Sequence, residues 1–326
     1  MSSTPEFPLA FDVIELQTSY GNYQTLAITL TEPQTLIPPL VLSKLQLPAE
    51  LDLNREVILY GRSPIWLYSY LTRLCKTAPW VACYNLKEKA AIVVQGRVSS
   101  PQVGDIIPII TNRNPGTAVI IGGPPDSGKS VLSYALCQYL RNKQYNLDVF
   151  LQRANWDGEG NWAVEMGDRA IANQLKEIYT RRLHQEENSD QLMKDFFKKQ
   201  ADDVKNIKDI MDIVLVDIGG KVQEHKLPIL KQCSHYIIIS RDREKVKEWH
   251  NLFGQNLNPL IVIHSVLEER LEIIQTKPFL EVIAGPWITG ETVRVPDIIL
   301  DYVLAAIKGI NDYSKWSEII SYFSNA

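Results

Sequence analysis

Residues 123–130 read Gly123-Pro124-Pro125-Asp126-Ser127-Gly128-Lys129-Ser130, which is the spacing G-x-x-x-x-G-K-S. The chemistry this pattern serves is the binding of a polyphosphate. Glycines let the backbone turn its N–H groups inward, the lysine reaches the β- and γ-phosphates, and the serine hydroxyl holds Mg²⁺. An apolar run, Ala118–Gly122, precedes the loop and a helical stretch, Lys129–Asn142, follows it. That context places the loop at a strand end and a helix N-terminus, where an anion site forms. All eight residues are therefore candidate cofactor-binding residues, and ATP with Mg²⁺ is the expected cofactor.

A metal held this way needs a carboxylate at the end of a neighbouring buried strand. Ile213-Val214-Leu215-Val216-Asp217 supplies one. Asp217 is the expected second metal residue beside Ser130, acting partly through water. Gly219-Gly220 then let the backbone approach the terminal phosphate. A third cluster runs from Arg153 through Asp157 and Glu159 to Trp162, after another apolar strand. Asp157 there could activate a hydroxyl or a water, with Glu159 assisting, although Asp-Gly is also a turn dipeptide. Arg241 and Arg243 follow the strand Tyr236–Ser240 and could stabilise phosphoryl charge or simply begin a solvated helix. His264 ends the next strand and reads as a structural histidine more readily than a catalytic one.

The elements that position these residues divide the chain in two. Residues 117–326 alternate apolar strands with helices: Ala118–Gly122, Leu147–Gln152, Ile213–Asp217, Tyr236–Ser240 and Leu260–Ser265 are strands. The helices are Lys129–Asn142, Glu165–Glu187 continuing toward Lys208, Arg243–Phe253 and Pro296–Gly309. That pattern predicts a mainly parallel sheet flanked by helices. Residues 1–110 carry short strands at Leu9–Gln17, Tyr23–Leu30, Arg55–Tyr60, Pro79–Tyr84 and Ala90–Gln95. One helix is expected between Pro64 and Lys76, with Ser63 as N-cap and Pro64 at its first position. The fold class is therefore α/β, a small α+β domain followed by a P-loop nucleotide-binding domain, with residues 111–116 as the linker.

Composition narrows the function classes. The 326 residues are 45% hydrophobic and 22% charged, the profile of a globular chain of more than one domain. The net charge of −4 argues against coating duplex DNA. No apolar run reaches the length of a membrane span, and residues 1–9 have no secretion-signal pattern. Cys75, Cys83, Cys137 and Cys233 are widely spaced and form no metal-type pair. A reduced, cytoplasmic setting is the expectation.

Charge is segregated within the first domain. Residues 55–97 hold seven basic side chains against two acidic ones. Trp66, Tyr68, Tyr70, Trp80 and Tyr84 are interleaved with them. This suits a small RNA, with bases stacked on rings and phosphates on cations, or equally a solvated surface over an aromatic core. All five histidines lie beyond residue 180. RNA cleavage in the first domain would thus rest on in-line placement of a 2′-hydroxyl beside lysine or arginine.

The blocks Val57–Leu67 (with Gly61-Arg62-Ser63-Pro64-Ile65-Trp66-Leu67), Ala78–Asn85 and Ala91–Gln95 resemble the Csx-three family of CRISPR-associated proteins, over residues 8–108. The family's members are type III accessory ring nucleases. The resemblance implies cleavage of cyclic tetra-adenylate RNA as activity, with Arg62, Ser63, Trp66 and Tyr68 holding the ring. It also implies a homo-oligomer, dimer or tetramer, since a symmetric ligand suits a symmetric site. Short members carry histidine where this chain has Lys76-Thr77-Ala78, Tyr-Asp-Pro-Arg where it has Tyr84-Asn85-Leu86-Lys87, and histidine where it has Gly96-Arg97. Asn85, Lys87 and Arg97 are the catalytic candidates at those positions, beside Asp157 and Asp217 in the second half. The second half resembles the AAA-type P-loop ATPase domain fused to this family, with its Asp157–Trp162 block. Three readings stay open: a ring nuclease coupled to ATP binding, a ring sensor that regulates an ATPase, and a P-loop kinase with a small-molecule acceptor.

Overall fold

The computed structural model describes residues 8–31, 37–61, 63–142, 145–156, 171, 174, 188–288, 291 and 293–308. The chain divides into two compact units, Met1–Arg113 and Asn114–Ala326. Among the described residues no helix is long and apolar enough to cross a membrane.

The first unit is a six-stranded mixed sheet with the strands in chain order: β1 (Leu9–Thr18), β2 (Gly21–Leu30), β3 (Val57–Gly61), β4 (Trp80–Asn85), β5 (Ala90–Gly96) and β6 (Ile106–Pro108). β2, β3 and β4 run parallel and the outer pairs antiparallel. A bridge between Thr18 and Ile109 joins the two ends of the sheet, so it curls on itself. Helix α1 (Ile65–Leu74) packs Leu67 and Leu71, four residues apart and fully buried, onto one face. Trp80, Val93 and Ile107 line the other face.

The start of α1 differs from the expectation. Pro64, not Ser63, is the N-cap: it is still extended (φ −64, ψ 152), and its carbonyl accepts from the Leu67 N–H at 2.9 Å. The Ser63 hydroxyl makes no cap bond. It is buried without a hydrogen-bond partner among the described residues.

The second unit is a seven-stranded sheet in the order β12-β13-β11-β10-β7-β9-β8. Its strands are β7 (Thr117–Gly122), β8 (Val149–Ala154), β9 (Ile213–Ile218), β10 (His235–Ser240), β11 (Asn258–Ser265), β12 (Arg270–Gln275) and β13 (Leu280–Gly285). Only the β12–β13 pair is antiparallel. Strands β6, β12 and β13 are absent from the sequence reading. β12 is an edge strand exposed along nearly its whole length, so it needs no apolar run to announce it. On one face lie α2 (Lys129–Leu140) and α6 (Asp297–Ile307), packed into one core with β7, β11 and β13. α3 (Ser189–Lys208) buries Phe197, Val204 and Ile207. Most of the expected helical stretch before it lies outside the described residues. The short α4 (Leu227–Leu230) and α5 (Arg243–Phe253) complete the unit.

Burial lowers the imidazole pKa of both His235 and His250 below the usual 6.5. Tyr236 Oη lies 2.7 Å from His250 Nδ1, placed to donate to a neutral ring. The unfolded chain therefore takes up protons below about pH 6.5 that the folded chain resists. Stability is complete at neutral pH and falls as the pH drops through that value. Thermal unfolding between pH 7.5 and 5.5 should show this loss, and His250→Gln should flatten the slope.

Candidate functional site

β7 delivers the phosphate loop to the carboxyl edge of the sheet, between β10 and β9. Two glycines make its path possible. Gly123 has φ +152, and a Cβ there would stand 1.9 Å from the Ile239 carbonyl oxygen. Gly128, the N-cap of α2, has φ +94, and a Cβ there would stand 2.5 Å from Trp287 Cβ. Larger residues would push the loop off its neighbours or out of its turn. Asp126 also adopts a left-handed conformation, at φ +56. Pro124 and Pro125 carry no N–H, so the donors are the amides of Gly123 and of residues 126–130.

Lys129 is buried, and its Nζ donates to the Pro124 carbonyl at 2.7 Å. Burial holds its ammonium below the ordinary lysine value, with Asp217 and Asp126 pulling the other way. Ser130 Oγ donates to Asp217 Oδ2 at 2.8 Å. The pairing register sets Asp217 beside Ile121 on β7 and beside Arg153 on β8. Arg153 Nε lies 3.5 Å from Asp217 Oδ2, and both side chains are about 95% buried. Burial pushes the Asp217 carboxyl up, against the pull of Arg153, Ser130 and Lys129. The Ser127 hydroxyl is buried and has no hydrogen-bond partner among the described residues.

These residues fit a polyphosphate with a hard cation. The loop offers convergent amides, the Ser127 hydroxyl and one ammonium to phosphate oxygens. Ser130 and Asp217 offer adjacent oxygens to a divalent metal. The pairing of β7 with β9 brings the loop, Lys129, Ser130 and Asp217 to one place. In the sequence Arg153 stands only as the start of the cluster that runs to Trp162. Its sole signal was its position at a strand end. Asp157 and Glu159 lie outside the described residues. Arg241 and Arg243 are exposed, flanking Asp242, whose side chain caps α5 by accepting from the Glu244 N–H at 2.8 Å. His264 Nε2 lies 2.7 Å from Glu281 Oε1, on the neighbouring strand β13.

The candidate residues of the first unit are distributed differently. Asn85 Oδ1 accepts from the Lys87 N–H at 3.1 Å, so both belong to the β4–β5 turn. Arg97 follows the opposite end of the same hairpin, where Trp80 pairs with Gly96, and its guanidinium donates to the Thr77 carbonyl at 3.1 Å. The six residues of β4, stepping about 3.3 Å each, separate the two ends by about 17 Å. One chain therefore does not bring Asn85 and Lys87 together with Arg97. Tyr68 Oη donates to the Gly61 carbonyl at 2.7 Å, and burial pushes its pKa up. Trp66 is half-buried against the core beneath α1. Tyr23 packs edge-on against Trp80, and Tyr60 against Tyr84. Several of the rings considered for base stacking thus serve the core. Arg62 lies outside the described residues, and Ser63 sits immediately before the cap of α1.

Similar proteins of known structure overlap parts of the chain. The septum site-determining protein MinD of Pyrococcus horikoshii OT3, complexed with Mg-ADP, is 15% identical over 46% of this chain and 70% of its own, with a TM-score of 0.34. A protein assigned to plasmid partition in Borrelia burgdorferi B31, bound to AMPPNP, is 13% identical over 60% of this chain and 98% of its own, with a TM-score of 0.37. The kinase domain of the Escherichia coli tyrosine kinase ETK is 15% identical over 45% and 67%, with a TM-score of 0.30. Residues 30–108, which include the whole of the β4–β5 hairpin and of α1, match the family model described as CRISPR-associated protein (Cas_csx3).

Proposed function

We propose that this is a CRISPR-associated enzyme in which the second unit binds ATP with Mg²⁺ and the first binds and opens cyclic tetra-adenylate RNA. The observation that carries the nucleotide half is the meeting of Ser130, Asp217 and Lys129 at the phosphate loop. In this reading the loop amides and Ser127 grip the phosphates, and Lys129 leaves the Pro124 carbonyl for the β- and γ-phosphate oxygens. Ser130 and Asp217 hold Mg²⁺, Asp217 partly through water. When bound, the metal neutralises charge on those oxygens. Asp157 is the proposed base of this half.

The RNA half rests on the match over residues 30–108 and on the basic stretch 55–97 within it. Arg62, Ser63, Trp66 and Tyr68 are proposed to hold the ring. Attack by a ribose 2′-hydroxyl on its own phosphate breaks the bond to the next 5′-oxygen and leaves a cyclic phosphate and a free 5′-hydroxyl. Lys87 and Arg97 would stabilise the charge, with Asn85 orienting the phosphate. Because these groups lie at opposite ends of one hairpin, the reading requires a homo-oligomer, dimer or tetramer, that completes each site with two copies. The proposed setting is the cytoplasm.

That same separation favours a second reading, in which the first unit binds the ring without cutting it and signals to the ATPase. Incubation with cyclic tetra-adenylate, with and without ATP-Mg²⁺, separates the two. Linear di-adenylate products are expected. A surviving ring that changes the rate of ATP hydrolysis supports the second reading. A surviving ring with no effect on ATP turnover overturns both.

A further inference from the structure

The segment after Asp217 reads Lys221-Val222-Gln223-Glu224-His225-Lys226, polar enough to pass for a solvated turn. In the fold, Lys226 is 1% exposed. Its Nζ donates to the Gly219 carbonyl at 2.5 Å and to the Lys221 carbonyl as well, and lies 5.2 Å from the centre of the Trp249 ring. A long, flexible cation loses much entropy and hydration when it is buried. Here two carbonyl bonds and an aromatic face offset that cost.

The tether acts on the Gly-Gly turn. A Cβ on Gly219 would stand 2.9 Å from Asn155 Oδ1, and one on Gly220 would stand 2.7 Å from the Pro125 nitrogen. The turn is therefore wedged between the end of β8 and the phosphate loop. On another side it borders a cavity of about 460 Å³, walled in part by Pro124, Pro125, Gln223 and Trp249, so packing there does not hold it. In a planar trans peptide the C=O and N–H point in opposite directions. Holding the Gly219 carbonyl toward Lys226 directs the Gly220 N–H away from Lys226.

We propose that Lys226 is a positioning residue for the terminal phosphate: by fixing the Gly219–Lys221 turn against the loop, it sets how strongly the site prefers a nucleoside triphosphate to a diphosphate. The inference rests on the nucleotide reading above. It concerns γ-phosphate recognition, because the α- and β-phosphates meet the loop amides, whereas Lys226 bonds the Gly219 and Lys221 carbonyls of the turn.

The test compares Mg²⁺-ADP with a non-hydrolysable Mg²⁺-ATP analogue by calorimetry on the full chain. K226M should lower the triphosphate-to-diphosphate affinity ratio about tenfold while ADP affinity stays within twofold, which corresponds to about 1.4 kcal/mol. G220A should lower the same ratio, since its Cβ displaces the turn from Pro125. K226R should recover part of it. If K226M does not fold, K226Q, which can still donate to one carbonyl, is read in the same way. A folded K226M or K226Q with the wild-type ratio overturns the inference alone. Wild-type protein that binds neither nucleotide overturns the nucleotide reading, and this inference with it.

Discussion

Lys129→Ala should abolish nucleotide binding while leaving the fold intact. The expected loss in ATP-Mg²⁺ affinity is at least about 100-fold, about 3 kcal/mol, because one buried ammonium supplies charge-assisted bonds to two phosphates. Its effect on the ligand-free protein should be small. Burial already disfavours the charge of Lys129, and its ammonium donates to the Pro124 carbonyl of the loop. The measurement is a pair of thermal unfolding curves for each protein, with and without ATP-Mg²⁺. The wild-type midpoint should rise with ligand, and the variant's should not move. A variant that still gains stability from ATP would show that the phosphates sit elsewhere. Assayed with cyclic tetra-adenylate, the same variant also tells whether ring opening depends on the nucleotide half.

Gly123→Ala should produce the larger loss of stability. The new methyl would lie 1.9 Å from the Ile239 carbonyl on the adjacent strand, and the backbone there has φ +152. Either β7 moves from β10 or the loop unwinds. Overpacking and backbone strain each cost about 1–3 kcal/mol, so a total near 3 kcal/mol is expected. For a unit of this size that lowers the unfolding midpoint by about 6–12 °C. Asp126→Gly is the contrasting control. Asp126 has φ +56, which glycine adopts without strain, so that variant should be neutral or slightly stabilised. Equal midpoints for Gly123→Ala and wild type would mean that the close approach to Ile239 does not constrain the loop.

Both variants act at residues that are readable in order along the chain, and the reason is local. A phosphate loop uses the amides of consecutive residues at one strand–helix junction, so its donors, its lysine and its serine are neighbours in sequence. Asp217 was equally visible, because a fully buried strand leaves an unbroken apolar run whose end is marked by the first charge. The alternation of apolar strands with helices likewise dictates a mainly parallel sheet.

Other features depended on register and on distant packing. Arg153 faces Asp217 because β8 and β9 pair with those two residues side by side, although 64 positions separate them. Lys226 looks hydrophilic in sequence and is buried only because the turn after β9 folds it back over Trp249. Trp287, far along the chain, comes to press on Gly128 because β13 runs parallel to β11 and ends at the same edge. In the first unit, family-like spacing nominated Asn85, Lys87 and Arg97 together, yet hairpin geometry sends them to opposite ends of one strand pair. Chemistry made by adjacent backbone groups is written in the order of residues. Chemistry made by side chains from different strands exists only once the strands have chosen their partners.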